Sequence, residues 1–158
     1  MPWPDPISLY GNAVTLAPLA HAHEADLAKA ASDGDLHRLW YTTVPTPDKV
    51  RAEIDRRLGL QAKGSMLPFA VIDPASGRAV GMTTYMNIDA TNRRVEIGST
   101  WYAESVQRTG LYTECKYLLL RHAFEDIDCV GVEFRTHYLN TQSRRAIERL
   151  GAKLDGIL

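Results

Sequence analysis

Apolar positions along the chain change period at a few well-marked places, and those changes predict its elements. From Val95 to Trp101 they alternate, which predicts a strand with Val95, Ile97, Ser99 and Trp101 on one face and Glu96, Gly98 and Thr100 on the other. From Leu111 the spacing becomes helical: Leu111, Cys115, Leu118, Leu119 and His122 mark one face, with Glu114, Lys116 and Arg121 interspersed. Between the two runs Gln107-Arg108-Thr109-Gly110-Leu111-Tyr112, a polar turn with a glycine, which feeds directly into a helix start. Unpaired amides and the positive end of the helix dipole make such a place a seat for a phosphate, and Arg108 adds charge to it. The plainer reading of a single Q-x-x-G is an ordinary helix start with Thr109 as N-cap.

The rest of the chain follows the same grammar. A proline-stiffened lead precedes a short strand within Asn12 to Leu19, and an alanine-rich helix runs from Ala20 to Ala31 with Leu19, His23, Leu27 and Ala30 on one face. The aromatic run Leu36 to Tyr41 offers a Trp-Tyr pair that walls a pocket or packs a helix end. Thr46-Pro47-Asp48 starts a second helix whose buried stripe is Val50, Ile54 and Leu58, ending by Gly64. Met66 to Asp73 and Arg78 to Asn87 read as a hairpin around Pro74-Ala75-Ser76-Gly77, and the turn at Asp89 to Asn92 returns the chain along the Val95 strand. Beyond the Leu111 helix, Cys129 to Thr136 predicts a strand joined by a parallel crossover. Asn140 caps a last helix, Thr141 to Leu150, stopped by Gly151, and Lys153 to Leu158 reads as the start of another strand.

At 158 residues, 45% hydrophobic and 23% charged, the chain is sized and composed as one globular α/β domain. A formal net charge of -1 argues against a global preference for nucleic acid and suits small polar partners better. The basic cluster Arg144, Arg145 and Arg149 reads as a solvated helix face or as partners for phosphates. Two cysteines, Cys115 and Cys129, fit buried free thiols of a reducing compartment. The N-terminal MPWPDP lacks a basic stretch followed by an apolar one, and no apolar run approaches the roughly 20 residues of a membrane span. The expectation is a cytoplasmic protein without a membrane partner. His21, His23, His37, His122 and His137 are scattered, so no metal set is expected.

Taken in order, Gly11-Asn12-Ala13-Val14-Thr15-Leu16 with Pro18-Leu19, Val80-Gly81, Glu96-Ile97-Gly98, Gln107-Arg108-Thr109-Gly110, Thr113-Glu114 and the run from Asn140 to Gly151 resemble the GNAT superfamily of acetyl-CoA-dependent N-acetyltransferases. The resemblance is to its Rim-type branch, which acetylates ribosomal-protein N-termini, and it spans essentially the whole chain. It implies a mixed, mostly antiparallel sheet flanked by helices, acetyl-CoA as co-substrate and an amine acceptor. It also implies cofactor-binding roles for Gln107, Arg108, Thr109, Gly110, Leu111 and Tyr112 at the pyrophosphate, for strand residues Gly98 to Trp101 (Ser99, Thr100 and Trp101 among them) along pantetheine, and for Asn140. Ser143 matches a polar helix position near the sulfur, where a hydroxyl protonates the departing thiolate, and Tyr138 is an alternative acid. Two features depart from the pattern. Tyr112 is large where a small residue is usual, and relatives carry further strands after the last helix, which leads us to expect a C-terminally short domain with an open strand edge and a possible homodimer.

Direct transfer needs a neutral amine, a polarised carbonyl and a route for the proton. A peptide α-amine, with a pKa of about 7.7 to 8.0, needs far less help than a lysine at about 10.4. Glu96 is the candidate base, with Glu133 a weaker rival. The acceptor is a protein N-terminus or a small amine such as a polyamine or an amine-bearing antibiotic. The competing expectation, motivated by Tyr112 and the missing strands, is a non-catalytic acyl-CoA-binding or interaction module on the same fold.

Overall fold

A computed structural model describes residues 3–38, 40, 43–107 and 109–158. The described residues form a six-stranded sheet in simple sequential order: β1 (Leu9–Tyr10), β2 (Thr15–Pro18), β3 (Leu67–Asp73), β4 (Arg78–Asp89), β5 (Arg94–Tyr102) and β6 (Gly131–Glu133). Neighbours pair antiparallel from β1 to β5, and β6 joins β5 in parallel. The helices are α1 (Glu24–Ala31), α2 (Val50–Ala62), α3 (Leu111–Arg121) and α4 (Thr141–Arg149). Because the connection from β5 to β6 passes through α3, the parallel pairing is the one a helical crossover permits.

Alternation along the strands sends side chains into two cores. On one face Val14, Leu16, Phe69, Val71, Tyr85, Val95 and Ile97 pack with Leu111, Cys115, Leu118 and Leu119 of α3. On the other Ala70, Ala79, Met82 and Trp101 pack with Leu27, Ala30 and Ala31 of α1 and Val50 and Ile54 of α2. The single turn before α2 has Thr46 as N-cap and Pro47 at N1, as the sequence predicts. Cys115 and Cys129 are both buried and unpaired.

Four expectations are corrected. Trp101 does not share a face with Val95 and Ile97 but belongs to the opposite core, because a bulge in β5 resets the alternation. The strand expected over Cys129 to Thr136 forms only at Gly131–Glu133. Lys153 to Leu158 forms no strand: these residues have no regular structure and pair with none of the described strands, and Leu154 and Ile157 stand exposed. A strand exists only through a neighbour's ladder, so the expectation of association through this edge loses its basis. Finally, Thr109 is not the N-cap of α3; that position is Gly110. The Thr109 hydroxyl donates to the Val106 carbonyl at 2.7 Å and accepts from the Leu111 amide at 3.4 Å.

The β1–β2 hairpin, unmarked in the sequence, is tied to α3 by one carboxylate. Glu114, in the first turn of α3, accepts from the Asn12 amide at 2.8 Å and from the Ala13 amide. A Cβ on Gly11 would sit 2.5 Å from the Glu114 carboxyl carbon, so a side chain there would displace this carboxylate from its two amides. Two bonds to one charged acceptor are lost in Glu114→Ala, and an expected destabilisation of about 2 kcal/mol should be read as a lower urea midpoint at unchanged slope.

Candidate active site

The site begins with a fault in the β4–β5 ladder. Met82 pairs with Trp101 and Thr84 with Gly98, so Thr83 faces two residues, Ser99 and Thr100. This is a β-bulge, with Ser99 in the left-handed region at φ 47°. Its stray groups are met by side chains. The Arg57 guanidinium, fully buried on α2, donates to the Ser99 carbonyl at 2.8 Å, to the Thr84 hydroxyl at 2.8 Å and to Glu53 at 2.7 Å. The Thr83 and Thr100 hydroxyls lie 2.8 Å apart. Gly81 permits the close approach of the strands, since a Cβ there would fall 2.2 Å from the Trp101 carbonyl oxygen.

The bulge turns β5 away from its parallel neighbour. The two strands pair only from Arg94 to Glu96 against Gly131 to Glu133. Past that point Ile97 to Tyr102 and Phe134 to His137 diverge, and a cleft of about 420 Å³ opens between them. Its remaining walls come from Gln107, Tyr112 and Lys116 before and along α3, and from Asn140, Ser143, Ala146 and Arg149 on α4. Among the described residues the lining includes Lys116, Arg135, His137 and Arg149 and not one Asp or Glu. A cleft with cationic walls and unpaired strand backbone suits an extended, amide-bearing, anionic ligand.

At one end of the cleft α3 starts. The amides of Leu111, Tyr112 and Thr113 precede the first intrahelical bond, which runs from the Glu114 amide to the Gly110 carbonyl. Gly110 has helical φ −63°, and a Cβ there would meet nothing within 4 Å, so neither backbone conformation nor packing requires a glycine at this position. Gln107 and Tyr112, on either side of it, line the cleft, whereas Gly110 itself does not. Arg108 lies outside the described residues. The Tyr112 ring stands edge-on to Tyr102 at 5.5 Å, packed along the wall.

Asn140 caps α4 as predicted, its Oδ1 accepting from the Ser143 amide at 3.1 Å, and both residues line the cleft. Ser99, Thr100 and Trp101 do as well. Tyr138 does not; it is exposed, with the Arg144 guanidinium 4.8 Å over its ring. Glu96 is 5% exposed and stands just outside the lining, accepting from the Asn87 amide nitrogen at 2.6 Å with Arg135 at 3.7 Å. Glu133 pairs with Arg94 at 2.9 Å on the outer surface.

Two residues central to this geometry carry no sequence motif. Arg57 follows Val50 and Ile54 at helical spacing, and Lys116 adjoins Cys115 on α3, so each is a basic residue placed on or beside a core stripe. That placement is the signal available for them. Lys116 is only 4% exposed, and burial pushes its ammonium down to about 8. Its Nζ donates to the Thr100 hydroxyl at 3.0 Å and lies 5.8 Å and 5.9 Å from the Tyr112 and Phe134 rings.

A bulged strand splayed from a parallel partner, with a helix start at the mouth of the gap, is the architecture of an acyl-coenzyme A transferase domain. The acetyltransferase (GNAT) domain family matches residues 13–153, and the chain belongs to it. YdaF of Bacillus subtilis (strain 168), named "Putative ribosomal N-acetyltransferase", is 32% identical over 80 residues. The match takes in 51% of this chain and spans 43% of the length of that relative. A GCN5-related N-acetyltransferase from Brucella melitensis is 34% identical with a TM-score of 0.86, covering 99% of this chain and 72% of its own. RimL, a ribosomal L7/L12 α-N-protein acetyltransferase solved with coenzyme A, shares the fold at a TM-score of 0.78 and 16% identity, over 95% of this chain and 86% of that one.

Proposed function

We propose that the chain transfers acetyl from acetyl-CoA directly to a primary amine within a ternary complex, and that the amine is a peptide N-terminus. The observation that carries this reading is the cleft between the diverging strands, cationic along its walls and free of carboxylates among the described residues. In it the pantetheine amides pair with the backbone from Gly98 to Trp101. The pyrophosphate meets the amides at the start of α3, with Arg149 near, and Asn140 borders the arm. The name of YdaF, a ribosomal N-acetyltransferase, supports a protein acceptor. A polyamine or a cationic antibiotic would need acidic partners that the lining lacks, whereas a peptide α-amine brings one charge and loses it near neutral pH. Attack of the neutral amine on the thioester carbon forms the C–N bond and breaks the C–S bond; the amine proton passes through water to Glu96, and the thiolate takes a proton from the Ser143 hydroxyl as that hydroxyl regains one from solvent. Tyr138, turned out to solvent, is the weaker acid.

The test is calorimetry with acetyl-CoA together with thiol release across a panel of peptides, polyamines and aminoglycosides. Binding with release on peptides alone is the expected result; binding without release on any acceptor would leave the non-catalytic module. Glu96 serves as base through water from its place beside the pantetheine strand. Glu96→Gln is expected to lower kcat/KM at pH 7 by about a hundredfold, within the range of a lost general base, and the deficit should shrink toward pH 9 as the acceptor loses its proton unaided. A deficit that stays constant with pH assigns the effect to the Asn87 and Arg135 contacts instead.

A further inference from the structure

We propose that Lys116 is a catalytic residue of this cleft: its ammonium donates a hydrogen bond to the carbonyl oxygen of the bound acyl thioester and holds the negative charge that develops there. The inference rests on the acetyl-transfer reading above and adds to it the group that stabilises the oxyanion.

Lysine is a poor choice for its position on structural grounds alone. The neighbouring α3 side chains Leu111, Cys115, Leu118 and Leu119 pack into the apolar cluster of the sheet. An ammonium there gives up most of its hydration, a cost usually met by a carboxylate partner. None pairs with Lys116 among the described residues; its hydrogen-bond partner is the Thr100 hydroxyl at 3.0 Å. An ammonium has three donors, so two N–H groups remain. They belong to a side chain that is 4% exposed and lines the cleft, between the Tyr112 and Phe134 rings.

The single bond that Lys116 does make aims it. Thr100 is the second residue of the bulge, and its hydroxyl lies 2.8 Å from the Thr83 hydroxyl and 3.3 Å from the Gly98 carbonyl oxygen. A hydroxyl that donates to one of these keeps lone pairs for the lysine. Thr100 is therefore a positioning residue, which fixes the ammonium against the stretch of β5 whose backbone is free for the ligand. The reaction creates charge at one atom, the carbonyl oxygen, when the amine nitrogen adds to the carbonyl carbon. The tetrahedral species then collapses with cleavage of the C–S bond; the thiolate is protonated as the nitrogen loses its proton, giving amide and free thiol. Lys116 keeps its own proton throughout and supplies only the hydrogen bond and the charge. A fixed cation in a water-poor site does this without reorganising solvent.

The titratable groups against Lys116 are Cys115 and Tyr112 on its own helix, while Arg135, His137 and Arg149 line the same cleft. No carboxylate among the described residues lines the cleft, so an acceptor oxygen of the ligand is the group the two remaining N–H donors can meet there.

Lys116→Met keeps the length of the side chain and removes the charge. Three measurements on the full chain test the proposal: single-turnover transfer from acetyl-CoA, calorimetric affinity for CoA without an acyl group, and proton uptake on acetyl-CoA binding at pH 8.5 in two buffers of different ionisation enthalpy. The expected result is transfer slowed by a hundredfold or more, CoA affinity within threefold of the parent, and a proton uptake present in the parent and absent in the variant. Thr100→Val should slow transfer by about tenfold. Transfer within threefold of the parent in folded Lys116→Met overturns the proposal. So does an equal loss of CoA affinity and transfer, which would place Lys116 on the pantetheine arm. Should Lys116→Met fail to fold, Lys116→Gln carries the same comparison. A parent chain that binds no acetyl-CoA defeats the acetyl-transfer reading itself, a failure distinct from either of these.

Discussion

Arg57→Met is expected to unfold roughly 10 °C below the parent chain and to lose about 3 to 5 kcal/mol in urea denaturation, the range for removing one partner of a buried charge pair. The size of the effect follows from what the guanidinium holds. It is fully buried, and its loss strands the Ser99 carbonyl, the Thr84 hydroxyl and one face of the Glu53 carboxylate together. Because Ser99 is the left-handed residue of the bulge, acetyl-CoA affinity should fall even in assays run well below the melting point. The pH dependence separates the ionic part. Burial alone pushes the Glu53 carboxyl up, but hydrogen bonds from Arg56 and Arg57 outweigh it and hold the carboxyl below its ordinary 4.5. A group lowered in the folded state stabilises above its unfolded value and loses that contribution as pH falls through the folded one. The parent should therefore lose stability on acidification below about pH 4.5, and Arg57→Met should show a shallower acid limb. Parallel limbs would show that Glu53 is held by Arg56 alone.

Gly110→Val should fold like the parent and bind acetyl-CoA at least tenfold more weakly, equivalent to about 1.4 kcal/mol. The backbone at Gly110 is already helical and the space before it is empty, so a side chain meets no protein atom; what it meets is the approach to the first amides of α3. Gly110→Ala should fall between the two. If a folded Gly110→Val chain binds acetyl-CoA as the parent does, the phosphate seat is misplaced.

The hydrophobic pattern alone determined much of this molecule. Strand alternation marked the meander, helical spacing marked α1 to α4, and Asn140 announced its cap, because each is a local rule read over a few residues. The order of short motifs also carried the family, which the match over residues 13–153 bears out. Where local rules failed, a partner distant in sequence had decided the outcome. Trp101 changed faces because one residue of β4 opposes two of β5, which no alternation within β5 can reveal. Phe134 to His137 left the sheet because the bulged strand beside them curves away, and Lys153 to Leu158 found no ladder to join. Lys116 read as a charge interspersed on an amphipathic helix, and Arg57 went unmarked. Only tertiary packing shows them buried, since a charge on a core stripe is tolerated where the opposite layer offers it a hydroxyl, a carbonyl or a carboxylate, and that layer lies 16 residues away for Lys116 and Thr100 and 42 for Arg57 and Ser99.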